Sequence, residues 1–179
     1  MALPSGQQRG GGQRRGRRSG PREPREFEQK TIDLARVTRV VAGGKRMRFR
    51  ATVAIGDQKG RVGVGIAKGS DVSDSIQKAV TAAKKTMIRV PIVDDTIPHT
   101  IFCKHGGAYL MLKPAPKGSG VIAGGPVRAI MELAGIKNVV SKILGSSNKI
   151  NNVYALMKAL SKLRTREQAA ARRGKTIRS

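Results

Sequence analysis

The residues able to do covalent chemistry are few, and their spacing does not assemble a site. His99, Cys103 and His105 share odd parity, so a regular strand would set them on one face. That spacing suggests zinc, but a structural zinc site takes four ligands, normally paired at short loop spacings. These three side chains are the whole His and Cys complement of the chain, and Gly106-Gly107 would end such a strand beside His105. Cys103 is therefore expected as a small core residue, with the histidines at a sheet edge. Among the carboxylates, Asp94-Asp95 is the one adjacent pair and follows Pro91, whereas Asp71 and Asp74 fall where a helix begins and complement its dipole. No nucleophile, base and orienting acid come together. Gly63-Val64-Gly65-Ile66-Ala67-Lys68-Gly69 has the spacing G-x-G-x-x-x-G, not the dinucleotide G-x-G-x-x-G, and reads as part of a strand. Glycine in a strand marks the close approach of another backbone, and the surrounding charge makes RNA a candidate for it. The expectation is a non-enzyme with no catalytic residues, no cofactor and no metal.

What these residues can do is hold anions. Thirty-six Lys and Arg against 11 Asp and Glu leave a net charge of +25 in 179 residues, with a pI near 11.6. An excess of that size repels itself in the folded state and calls for a polyanion. Aromatics are only 3% and Trp is absent, which argues against broad base-stacking surfaces. The single cysteine fits a reducing compartment, and no apolar run approaches the roughly 18 residues of a membrane span. A soluble intracellular protein is expected, off the membrane and not a homo-oligomer. The sharpest anion site runs from Lys117 and Gly118 through Gly124 and Gly125 to Arg128. Two glycine clusters lead into a helix whose first turn carries Arg128 and no acid, an arrangement suited to phosphate.

The elements that must position these groups are legible from periodicity. Residues 32–41 read as a strand joined by Ala42-Gly43-Gly44-Lys45 to a second one. There Met47, Phe49, Ala51, Val53 and Ile55 face a core, and Arg46, Arg48 and Arg50 face the other way toward phosphate. Asp57-Gln58-Lys59-Gly60 is a turn by composition, and residues 61–68 return with Val62, Val64 and Ile66 inward, with Arg61 and Lys68 as further candidate RNA contacts. A helix capped by Ser70 or Asp71 repeats Val72, Ile76, Val80, Ala83 and Met87. Beyond a boundary at Pro91-Ile92-Val93-Asp94-Asp95 come strands at 97–104 and 108–113. The glycine loop follows, then a helix with Pro126 first and Gly135 closing it, a strand at 138–144 and a last helix through Ile150, Val153, Met157, Leu160 and Leu163. The organisation is α+β in four parts. Residues 1–26 form a disordered Arg/Gly-rich arm, 27–90 a three-stranded sheet plus helix, 91–164 a second two-layer α/β domain, and 165–179 a basic tail.

Several of these segments carry a resemblance. Gly60-Arg61-Val62-Gly63-Val64-Gly65-Ile66-Ala67-Lys68, Ile76-Gln77-Lys78-Ala79, and Gly118-Ser119-Gly120-Val121-Ile122-Ala123-Gly124-Gly125-Pro126-Val127-Arg128-Ala129 resemble the small-subunit ribosomal protein S-five family in its bacterial form. So do Ala134-Gly135-Ile136-Lys137-Asn138-Val139 and Gly145-Ser146-Ser147-Asn148, collinear from about residue 27 to 176. The resemblance implies a double-stranded-RNA-binding-like first domain and a second domain with a left-handed crossover. It implies a cytoplasmic, ribosome-bound protein that binds small-subunit ribosomal RNA beside ribosomal proteins four and eight, with messenger RNA nearby. Roles in subunit assembly and translational accuracy come with it; a free RNA chaperone or translational regulator built from the same modules is the alternative. Carried onto this chain, the loop around Gly43, Gly44, Lys45 and Arg46 is the hairpin loop that reaches ribosomal RNA, where spectinomycin resistance changes cluster. Gly120 and Arg128 match positions tied to accuracy at the contact with protein four. A usual double-stranded-RNA domain starts its second helix with lysines; here Asp71 and Asp74 stand there, so RNA contacts are expected from the Arg-bearing strand and the loop.

Overall fold

The computed structural model describes residues 26–174, so all but the last residue of the Arg/Gly arm, and the end of the basic tail, lie outside the described residues. The first sheet is antiparallel in the order β1-β2-β3-β4, from β1 (Glu28–Val41), β2 (Gly44–Gly56), β3 (Arg61–Gly69) and β4 (Ile88–Arg89). Helix α1 (Val72–Lys85) connects the last two strands. The two-residue β4 is an addition to the three strands read from periodicity; it is too short to show a period.

The second sheet runs β5-β6-β8-β7, from β5 (Ile101–His105), β6 (Ala108–Pro114), β7 (Val121–Ile122) and β8 (Val139–Ile143). β7 lies parallel to β8, and α2 (Gly125–Ala134) is the crossover between them. Helices α3 (Lys149–Lys162) and α4 (Arg166–Arg172) complete the chain. Ile97 is a core residue outside any strand, and Pro98 follows it, so β5 begins only at Ile101. Within the basic tail a capping box at Thr165 and Gln168 starts α4.

The burial pattern of β2 corrects the one-face reading. Residues 51–56 are buried at every position, whereas 44–48 are exposed at every position. Ala51, Val53 and Ile55 pack with Ala79 and Ala83 of α1. On the opposite face Ala54, Val62 and Val64 join the core of the second domain with Ile130, Leu133, Leu156 and Leu160. The inner half of the sheet is thus a middle layer between two helical layers, and the face expected to meet phosphate is covered there. Full burial of each Leu or Ile is worth about 1.5–3 kcal/mol, so this shared core binds the two halves together. Met47, expected inward, is 48% exposed because it lies beyond the end of that core.

Helix α1 also sits differently from expectation. Its buried stripe is Ser75, Ala79 and Ala83, with Ile76 and Val80 only half-buried. The cause is in β3, where a Cβ at Gly65 would strike the Ala79 carbonyl and one at Gly63 would lie 2.5 Å from the Ala83 oxygen. Small residues on both sides let helix and strand backbones touch. The backbone that closely approaches these glycines is therefore α1, not RNA.

The turn after β2 docks on the second domain. Gln58 N–H donates to Leu133 O (3.0 Å) and Gly60 N–H to Ala134 O (2.9 Å). Asp57 organises it by accepting from Lys59 N (2.8 Å), Arg61 N (2.9 Å) and Arg61 Nε (2.8 Å). Burial alone would raise its carboxyl pKa, but the Arg61 and Lys59 backbone N–H groups and the Arg61 guanidinium outweigh burial and hold it below the ordinary value. A depressed folded value contributes stability above the unfolded pKa near 3.9, and that contribution is lost as pH falls through the lower folded value. Asp57→Ala should destabilise by about 1–3 kcal/mol at pH 7, and the deficit should vanish in urea melts run at acid pH. An equal deficit at both pH values would remove the carboxylate from this role.

Candidate nucleic-acid interface

Pairing of β2 with β3 begins only at Phe49↔Gly69, while β1 and β2 stay paired out to Val41↔Gly44. The outer part of this hairpin is consequently a two-stranded arm leaving the body of the sheet. Every residue from 38 to 48 is exposed, including Val40 at 73%. Gly43 and Gly44 make its tip with open space around both, and Gly44 has φ +137°, which a side chain would disfavour.

The arm carries Arg36, Arg39, Lys45, Arg46 and Arg48 and no acid. Arg39 stands directly opposite Arg46, a like-charge cross-strand pair that destabilises a free ribbon. Register sets Arg46 and Arg48 on one face and Lys45 with Arg36 on the other. Cations therefore wrap the arm, in place of the single basic face expected. Arg36 and Arg39, three residues apart and therefore on opposite faces of β1, follow no alternation like that of Arg46, Arg48 and Arg50, so periodicity gives no sign of them.

The remaining candidates lie elsewhere. Arg50, at the root of the arm, is half-buried and faces Asp33 at 3.8 Å, while Lys149 from α3 reaches the same Asp33 at 3.0 Å. Lys68 is exposed across from Arg50 in register. Arg61 belongs to the docked turn, bonded to Asp57 and lying 5.9 Å from the Phe27 ring centroid. No ion pair among the described residues joins the arm to the glycine loop of the second domain.

In that loop Lys117, Gly124 and Gly125 are exposed, and α2 starts at Gly124 with no side-chain cap, proline in its first turn and no acid there. The N–H groups of Gly118 and Gly120, however, are not free for phosphate. Both donate to the buried Asn138 side chain, at 3.0 and 3.2 Å, and the Gly120 carbonyl accepts from Val139 N. By sequence Asn138 is the start of a strand, and a lone Asn before an apolar strand gives no signal of a loop twenty residues away. Arg128 has an acid within reach beyond that first turn. Glu132, one turn on, lies 3.6 Å from its Nε and is shared with Lys30 at 2.9 Å.

At the other helix start, Asp71 is held below the ordinary carboxylate value by the Ser73 hydroxyl, and Asp74 by Lys78. Both stay charged at neutral pH and repel an anion from α1. Cys103 is buried in the second core; His99 precedes β5 and His105 ends it against Tyr154.

An arm of exposed arginines on a sheet–helix layer, followed by a mixed sheet with a glycine loop, agrees with the sequence comparisons. Residues 27–91 match the family description ribosomal protein S5, N-terminal domain, and residues 103–173 match ribosomal protein S5, C-terminal domain. The chain belongs to the ribosomal protein S5 family. S5 proteins are structural, non-enzymatic components of the small ribosomal subunit, ribosome-bound in the cytoplasm, where they bind ribosomal RNA among other ribosomal proteins. In this S5 protein no helix among the described residues is long and apolar enough to cross a membrane.

Proposed function

We propose that this S5 protein anchors to small-subunit ribosomal RNA chiefly through the β1–β2 arm, and that it supports subunit assembly and translational accuracy. The observation that carries this reading is the Arg39↔Arg46 pair on an arm with no acid. Beyond the body of the sheet a two-stranded ribbon is only weakly stable, and a polyanion would relieve the repulsion between its opposed cations. Lys45, Arg46 and Arg48 supply the charge, Gly43 and Gly44 the close approach, and Lys68, Lys117, Gly124 and Gly125 additional exposed contacts. Arg50 and Arg61 act indirectly, by fixing the root of the arm and the docked turn. Residues 27–90 and 91–164 work as two modules on the RNA, next to ribosomal proteins four and eight and near messenger RNA. Sedimentation separates this from a free chaperone or regulator: the protein should remain with small subunits through a high-salt wash, and wash-off would favour the alternative.

The accuracy role centres on Gly120 and Arg128. Gly120 has φ +71° and open space beside it, so it shapes the loop without filling it. Arg128 is 58% exposed and only loosely held by Glu132, which leaves its guanidinium available to a carboxylate on protein four. An exposed pair is worth about 0–1 kcal/mol, too little to matter for assembly. It is enough to change a near-balanced open–closed equilibrium by up to about fivefold. Arg128→Leu should assemble normally and raise misreading of near-cognate codons by up to about that factor. Normal accuracy with normal assembly would refute the role, and failed assembly would make Arg128 an RNA anchor instead.

A further inference from the structure

A second concentration of charge lies where α3 passes into α4. Lys162, Arg164, Arg166, Arg172 and Arg173, together with His99, line one recess of about 830 Å³. Glu167, the acid in the first turn of α4, is not among its walls. No ion pair among the described residues engages any of these cations.

The recess has a fixed frame. Leu163 is buried between the two helices' ends, and the Arg164 backbone N–H donates to His99 Nε2 at 3.4 Å while His99 Nδ1 bonds Thr100 O at 2.9 Å. Thr165 and Gln168 cap α4 reciprocally. The chain thus spends a buried leucine, a histidine clip and a capping box on holding like charges together. Self-repulsion makes that arrangement costly unless an anion neutralises it.

We propose that this recess is a second RNA site, taking a run of consecutive phosphates from one strand. Five basic side chains exceed what a single phosphate needs. A seven-residue helix is about 10 Å long, the length over which one strand of a duplex carries about three phosphates. Arg166 at one end of α4 and Arg172 with Arg173 at the other match that span. The proposal rests on the RNA-binding reading above and adds a contact on the opposite domain from the arm.

Binding of the full chain to small-subunit ribosomal RNA, measured across a fourfold range of salt, tests it. Three proteins are compared: the native chain, an R166Q/R172Q/R173Q variant, and a K45Q/R46Q/R48Q variant of the arm. Removing three phosphate contacts should lower the log–log salt slope by about two to three, so over that range the loss of affinity with salt should be smaller for the recess variant than for the native chain by about 16-fold or more. Thermal melts check that the exposed substitutions leave the fold intact. An unchanged slope for the recess variant overturns the proposal; if the arm variant's slope still falls, the main reading survives. An unchanged slope combined with failed subunit incorporation also overturns it, and assigns the recess to an acidic neighbouring protein. Competition by inorganic pyrophosphate as strong as by a ribosomal RNA fragment would likewise overturn a strand-length site.

Discussion

Lys45, Arg46 and Arg48 replaced together by Gln should weaken ribosomal RNA binding about a hundredfold near 0.2 M salt. Three lost phosphate contacts remove about 2.7 units of log–log salt slope, and between 0.2 M and 1 M salt that is about 80-fold. The comparison that matters is a variant of equal charge, with Lys78, Lys84 and Lys85 of α1 changed to Gln. Those lysines are exposed but lie on the helix that covers the inner sheet, away from the arm. If net charge alone drives binding, both variants weaken alike. If the arm is the anchor, only the first does, and it alone should delay entry of the protein into subunits.

Gly135→Val should be the most damaging single change to the fold. Gly135 ends α2 with φ +84°, and a Cβ there would run into the Gln58 backbone of the docked turn. Left-handed backbone costs a branched residue about 1–2 kcal/mol, and forced overpacking about 1–3 more. A total of about 2–5 kcal/mol is a large part of the 5–15 kcal/mol typical of a domain. Gly118→Ala is the control: its φ of +92° is equally strained, but nothing lies within 4 Å. Urea denaturation should show Gly135→Val clearly below Gly118→Ala. Equal losses would mean that the turn and α2 do not bear on each other.

Elements were legible in the sequence where one period ran long enough to declare itself. The hairpin, α1, the proline-led α2 capped by Gly135, and α3 all followed from spacing and caps. Two-residue strands such as β4 and β7 carry no period and could not be read. The more instructive failure is the double-sided burial of residues 51–56. Ala51 to Ile55 looked like one inward face because Thr52 and Ala54 are small or polar, yet a strand layered between two helical faces buries both parities. The same layering explains Gly63 and Gly65, whose signal of close approach was sound while the approaching backbone was α1. In the interface, charge type was legible and charge geometry was not: Arg46 and Arg48 were found, but their wrap with Arg36, Arg39 and Lys45 depends on register. Asn138, which commits the loop N–H groups of Gly118 and Gly120, is visible only once twenty residues of chain fold back.

The arm as RNA anchor is tested most directly by cleavage from its tip. Gly43 has open space where a side chain would start, so Gly43→Cys can carry a tethered iron chelate without disturbing the hairpin; Cys103 is buried and stays unlabelled. Lys84→Cys on the exposed side of α1 supplies the comparison. In reconstituted small subunits, radicals generated at position 43 should cut ribosomal RNA strongly at a few clustered sites, with weak or no cutting from position 84. Strong cutting from position 84 and none from position 43 would contradict the account.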